Sequence, residues 1–233
     1  MILKVLSARQ IWLIEMPELN LISTLFVYVI PIIFAITVHE VAHGWVASQF
    51  GDQTAKSLGR LTLNPIKHID PVGTIVVPAV MFYASGFIFG WAKPVPVNWR
   101  NLGHPRRDMA LVALAGPAAN FLMLLFWAIL AKVILLLGSE PNYLTQLIFI
   151  MCGIGIIINI VLMILNLFPL LPLDGGRVLT AMLPRNLAIT FSRLEPYGLI
   201  ILVLLLVSGI LWKILMPAIG VLKTLTYQLI QIP

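Results

Sequence analysis

His39 and His43 stand four residues apart with a glutamate between them, as His39-Glu40-Val41-Ala42-His43, inside an apolar run from Asn20 to Phe50. On a helix the two histidines lie one turn apart on the same face, where both imidazoles can hold one Zn2+. Glu40 then sits beside the metal as a general base for hydrolysis. It is the only acidic residue of the run. An ionisable side chain at membrane depth costs at least ~2.5 kcal/mol, so it needs a task or a partner. Satisfied core histidines would match the same letters; the hydrocarbon setting is what argues for a metal.

The elements that carry these residues follow from composition. The chain has 233 residues, 60% of them hydrophobic and 10% charged, with a mean hydropathy of +1.01. Soluble domains carry about 25% charged residues, so the composition is that of an integral membrane protein. We expect one membrane domain over residues 1–233, since no stretch resembles a PDZ or nucleotide-binding module. The net charge of +6 fits membrane topology rather than nucleic-acid binding. The single cysteine, Cys152, lies in an apolar segment, which excludes a disulfide framework or a cysteine-based zinc site and predicts a small core residue. Residues 1–14, with Lys4 and Arg9, read as an interfacial amphipathic segment.

Four apolar stretches, about 20–49, 108–137, 144–170 and 196–216, reach the roughly 20 residues needed to cross a bilayer. A fifth, about 74–90, is shorter and carries Pro78 and Ser85-Gly86. The last segment, 217–231, mixes Lys223, Thr224, Thr226 and Gln228 with aliphatics and predicts an amphipathic or interfacial piece. The polar stretch after the first span contains Gly59-Arg60-Leu61-Thr62-Leu63-Asn64-Pro65, an alternating pattern that predicts a short strand. Lys93-Pro94-Val95-Pro96-Val97 suggests an extended edge strand, and the two are expected to pair as a small sheet at the membrane face.

A catalytic zinc site uses three protein ligands. Outside the first span the acidic residues are Glu15, Glu18, Asp52, Asp70, Asp108, Glu140, Asp174 and Glu195. Asp174 stands out because it follows an apolar span in Pro169-Leu170-Leu171-Pro172-Leu173-Asp174-Gly175-Gly176. There prolines break the helix and glycines allow a tight turn. The same position suits an ordinary turn aspartate or a helix N-cap.

Three motifs in order, His39-Glu40-x-x-His43, Gly116-Pro117-Ala118-Ala119-Asn120 and Asn166-x-x-Pro169-x-x-x-x-Asp174-Gly175, make the chain resemble the site-2 protease family of intramembrane zinc metalloproteases. The resemblance covers a three-helix catalytic core of about residues 20–180. It implies that His39, His43 and Asp174 hold one zinc ion per chain and that Glu40 is the catalytic base. Asn166 is implied to position the substrate backbone or its oxyanion; a hydrogen bond between helices in lipid is the structural alternative. For Gly116-Pro117-x-x-Asn120 close helix packing accounts for the pattern, with Asn120 available as a donor behind the site.

The ligands must meet at one depth, so the first and the 144–170 spans must run parallel, with 108–137 returning between them. The 74–90 element is then re-entrant or interfacial, with Pro78 and Gly86 as its breaks. The loops 51–107 and 172–195 share one face and carry ten of the fifteen basic residues. The positive-inside rule turns that face, and the active site, toward the cytoplasmic side of the cell membrane. In the same loops His68 and Asp70 read as a structural turn rather than a second polar site.

The expected fold is therefore an all-α polytopic membrane protein with a three-helix core, an extra C-terminal span, a re-entrant or interfacial element and a small β element. The expected activity is an intramembrane zinc endopeptidase, cutting single-pass membrane proteins or signal-peptide remnants in the lipid bilayer. Two alternatives differ in chemistry. A zinc-binding protein or transporter would place polar residues along several spans, and here they cluster at one end. A non-catalytic scaffold would have no need of Glu40.

Overall fold

The computed structural model describes residues 19–85, 90–136 and 142–230, and all its regular elements among these are helical. In chain order the α-helices are α1 (Leu21–Gln49), α2 (Thr54–Ser57), α3 (Val77–Ser85), α4 (Pro105–Leu136), α5 (Tyr143–Asn166), α6 (Asp174–Met182), α7 (Arg185–Ser192), α8 (Glu195–Val207) and α9 (Ile210–Ile230), with shorter 3-10 or π-helical segments at Pro65–His68, Pro71–Val76 and Trp99–Asn101. Helices α1, α4, α5 and α9 are each long and apolar enough to cross a bilayer, with mean hydropathy from 1.3 to 2.9. The protein is thus a polytopic membrane protein. Its exposed leucines, phenylalanines and valines, such as Leu21, Phe26, Leu122 and Leu144, face where lipid would lie rather than water.

The termini of these helices are set locally. Asn20 caps α1 by accepting the Ser23 N–H at 2.8 Å, and Asn142 and Thr145 form a reciprocal capping box at the start of α5. Ser23 Oγ and Tyr143 OH meet at 2.7 Å, so the starts of α1 and α5 lie side by side. The two helices run parallel, and α4 packs against both as the returning span. Leu124 and Trp127 of α4, Cys152 and Ile156 of α5, Leu202 of α8 and Leu211 of α9 form the main core. Cys152 is buried and free within it.

Three expectations need correction. No strand forms among the described residues, so the small β element is absent. Segments 60–64 and 91–98 do come together, through the Arg60 guanidinium on the carbonyls of Lys93 and Pro94, but not as a ladder. Pro94 and Pro96 have no N–H to give. The Lys93 N–H goes to the His68 carbonyl at 2.9 Å, and that of Val95 goes to a side chain described below. Second, the expected span 196–216 is cut. Gly209, at a φ of +72°, turns the chain between α8 and α9. Residues 217–230 are then not a separate interfacial piece but continue from Ile210 as the 21-residue α9. Third, Pro78 does not break the 74–90 element: a π-helical segment, Pro71–Val76, runs directly into α3 and the helical path continues through Pro78, while the Gly73 carbonyl accepts the Trp91 N–H at 3.0 Å. The apolar helical stretch beginning at Pro71 is shorter than a span. Gly86 lies outside the described residues, as does the 1–14 segment.

The loop beyond α1 is tied down by one carboxylate. Asp52 is buried and accepts the Thr54 N–H and hydroxyl, the Asn101 side-chain amide at 2.9 Å and the Asn98 N–H at 2.7 Å. It thereby pins residues 98–101 to the end of α1. His68 and Asp70 are structural in the same way. His68 Nε2 meets the Thr62 carbonyl at 2.8 Å, and Asp70 accepts the N–H groups of Val72 and Gly73.

Burial alone would raise the Asp52 carboxyl, but the hydrogen bonds from Thr54, Asn101 and Asn98 outweigh it and hold the group below its ordinary value. Its stabilising contribution is therefore full above the unfolded carboxylate value of about 3.9 and fades as pH falls through the lower folded one. Asp52→Asn is expected to lower the thermal midpoint at neutral pH, with the gap to wild type closing in acid. Melting curves of both proteins in one detergent across that range check this.

Candidate metal centre

His39 and His43 lie near the C-terminal end of α1, one helical turn apart, with ring centroids 4.7 Å from each other. The residue that meets them comes from beyond α5. Two prolines, Pro169 and Pro172, end the helical path after Asn166, and α6 restarts at Asp174. Gly175 makes this return possible, since a Cβ there would lie 2.2 Å from the Leu167 carbonyl oxygen. Asp174 Oδ2 comes to 3.3 Å from His39 Nε2, Asp174 Oδ1 to 3.4 Å from His43 Nε2, and the two Nε2 atoms are 3.0 Å apart. Of the acids considered from sequence that lie among the described residues, Asp174 is the one grouped with the histidines.

The far sides of both rings determine what the near sides can be. His43 Nδ1 lies 2.7 Å from the Val112 carbonyl of α4. A carbonyl only accepts, so Nδ1 carries the proton. His39 Nδ1 lies 2.5 Å from Asn120 Oδ1, again an acceptor. With their protons on Nδ1, the two rings turn Nε2 lone pairs toward each other at 3.0 Å, an arrangement that could hold a metal cation between them. The buried Asp174 Oδ2, with no hydrogen-bond partner among the described residues, brings a third ligand atom to the same point. A tetrahedral ion with bonds of about 2.0–2.1 Å has ligand–ligand edges of roughly 3.3 Å. The three observed separations fit that edge, and two imidazoles with a carboxylate suit zinc.

Gly116 explains part of the second motif. A Cβ on it would meet His43 Nε2 at 2.4 Å and His39 Cε1 at 2.5 Å. The glycine is thus less a general packing device than the space that the two imidazoles occupy. Asn120, one turn further along α4, is fully buried and is the partner of His39 already described.

Glu40 lines the same cavity of about 600 Å³, with Ile36, residues 90–92 and 94–97, Asn166 and Arg177. This volume is within the range of about 300–1,000 Å³ common for ligand sites. Glu40 Oε2 accepts the Val95 N–H at 2.8 Å. Asn166 is the last residue of α5 and donates from Nδ2 to the Leu162 carbonyl at 2.9 Å; it lines the cavity without joining the three ligand atoms. Arg177 pairs with Glu195 at 3.0 Å and lies over the Trp99 ring. Nothing local to Val95 points to this contact in the sequence. Nor is Asn159 of α5 among the residues expected from sequence, although its Oδ1 accepts from Asn120, the partner of His39. An asparagine in an apolar span was the available signal.

The chain has relatives among known proteins. Over 196 residues, covering 80% of this chain and 84% of the relative, it is 40% identical to a Bacillus subtilis (strain 168) protein named "Putative zinc metalloprotease YwhC". The chain belongs to the site-2 protease family. Two proteins named "Putative zinc metalloprotease Rip2", from Mycolicibacterium smegmatis and Mycobacterium tuberculosis, are each 28% identical over 180 and 182 residues. These alignments cover 76% and 75% of the chain and 64% of each relative, so the chain spans just under two thirds of the Rip2 proteins. No family model and no solved structure matches it. The protein is thus a membrane-embedded member of a zinc metalloprotease family.

Gly116→Ala is expected to displace one or both imidazoles. Overpacking of this kind typically costs about 1–3 kcal/mol, and bound zinc should fall well below that of wild type while the helical content is retained. Metal analysis and circular dichroism of the two purified proteins check it.

Proposed function

We propose that the chain is an intramembrane zinc endopeptidase, hydrolysing peptide bonds in or near the transmembrane segments of single-pass membrane proteins or signal-peptide remnants. His39, His43 and Asp174 hold one zinc ion per chain, Glu40 is the general base, and Asn166 positions substrate. The observation that carries this reading is the pair of facing Nε2 lone pairs with an unsatisfied Asp174 oxygen beside them, in one cavity with Glu40.

Zinc, when bound, supplies a Lewis acid for the peptide carbonyl and lowers the pKa of a water to about 7. The side chains do the remainder. Glu40 takes a proton from the attacking water and returns it to the leaving amine. Asn166 has one amide hydrogen on Leu162 and a second to offer a substrate carbonyl. The apolar walls, including Ile36, Leu162 and Leu165, limit bulk water around the reacting atoms.

A substrate helix hides its carbonyls in its own hydrogen bonds, so the bound segment unwinds to be cut. Strand addition along residues 93–97 has a specific consequence here. Val95 has the N–H between two prolines, and Glu40 holds it. A substrate carbonyl that takes this N–H also releases Glu40 to act as base. The positive-inside distribution described above supports an active site toward the cytoplasmic side of the cell membrane, and the short helical stretch from Pro71 supports a re-entrant or interfacial element there.

Glu40→Gln is expected to keep its zinc and lower cleavage of a single-span substrate by about 10²–10⁴-fold. Purified wild type and variant, assayed in detergent for bound metal and for product, provide the test. Equal cleavage by both would remove Glu40 as the base. Bound zinc with no cleavage by wild type across a panel of single-span substrates would count against the peptidase and for a metal-binding role.

A further inference from the structure

Asn159 is fully buried in the middle of α5, with no place in the metal cluster or the cavity wall. Its Nδ2 donates to the Gly155 carbonyl at 2.8 Å. A carbonyl only accepts, so the amide cannot be turned over, and Asn159 must present Oδ1 on its other side. That oxygen accepts from Asn120 Nδ2 at 2.9 Å. Asn120 Nδ2 also lies 3.4 Å from the Ala35 carbonyl. With both of these acceptors on its nitrogen side, Asn120 must present Oδ1 to His39 Nδ1. The proton on His39 is thereby held at Nδ1, and Nε2 is left as a lone pair toward Asp174 and His43.

We propose that Asn159 is a positioning residue that sets the tautomer of His39 through Asn120, and so makes His39 Nε2 a metal ligand. The two histidines differ in this respect. His43 is fixed by a backbone carbonyl, that of Val112, which cannot turn. His39 relies on a side-chain amide with two possible orientations. Remove the Asn159 oxygen and only the long contact to Ala35 opposes a flip of Asn120. The flipped amide would donate to His39 Nδ1, move the ring proton to Nε2 and close that atom to a metal. The relay crosses α5, α4 and α1 in turn, so it also fixes the register of the three helices at the depth of the site.

This inference rests on the zinc reading, and its test separates the two. The full chain is labelled with 15N-histidine, purified in detergent without metal, and its imidazole nitrogen shifts are read at alkaline pH; zinc affinity is then measured by competition with a chelator. Wild type is expected to show His39 protonated at Nδ1. Asn159→Ala should give a mixture of tautomers and a zinc affinity weakened about tenfold, as for other groups that orient metal ligands. Asn159→Asp, which keeps a side-chain oxygen to accept from Asn120 Nδ2 whether ionised or neutral, should restore the tautomer and most of the affinity. Asn159→Leu fills the space without the oxygen and should behave as the alanine variant, covering the case in which a cavity unfolds the protein.

A wild-type His39 protonated at Nε2 would overturn the proposal. So would alanine and leucine variants that lose thermal stability but keep the wild-type tautomer and affinity, which is the signature of packing alone. Because the tautomer is read without metal, a chain that bound no zinc would sink the metal reading and leave the relay to be judged on its own signal.

Discussion

Two imidazole nitrogens with lone pairs facing each other at 3.0 Å are repulsive unless a cation joins them. Much of the bundle is arranged to keep them so. The Val112 carbonyl and the Asn120 amide hold the protons on the outer nitrogens, Gly116 leaves the volume the rings occupy, and the turn before α6 delivers a carboxylate whose Oδ2 has no other partner. In lipid such groups are expensive. Each unpaired polar atom in hydrocarbon costs several kcal/mol, so a polar cluster at this depth persists only when its members satisfy one another or a ligand. The three-helix core can be understood as the scaffold that meets that condition, with α4 supplying the backs of both histidines and α5 supplying the back of Asn120.

The same logic explains why parts of the site were legible in the sequence. His39, Glu40 and His43 stand out because four-residue spacing on a helix is a geometric statement by itself. Asp174 stands out because prolines and glycines mark a break in an apolar run. Parallel α1 and α5 followed from requiring the ligands to meet at one depth. What stayed hidden depends on pairings between distant segments. Nothing local in Gly116 says that two imidazoles lie against it, and nothing in Val95 says that its N–H reaches Glu40 across 55 residues of chain. Asn159 carried a signal that the depth argument could have used.

The errors have equally physical origins. Alternation in 59–65 and 93–97 fits a strand, but a ladder needs donors, and in the second segment Pro94 and Pro96 have none while those of Lys93 and Val95 go to His68 and Glu40. The apolar run 196–216 has the length of a span, yet one glycine in the left-handed region divides it, and length counting does not see a dihedral angle. Conversely the mixed composition of 217–231 disguised a helix that takes its apolar first turns from residues 210–216. Hydropathy measures where a segment is content to lie; it does not say where the chain turns.

The most direct test of the central claim, that His39, His43 and Asp174 form one zinc site, is X-ray absorption at the zinc edge of the purified full chain. One zinc per chain is expected, with two imidazole nitrogens and oxygen ligands at about 2.0–2.2 Å, and loss of that first coordination sphere in Asp174→Ala. A spectrum without imidazole scattering, or one unchanged by the substitution, would contradict it.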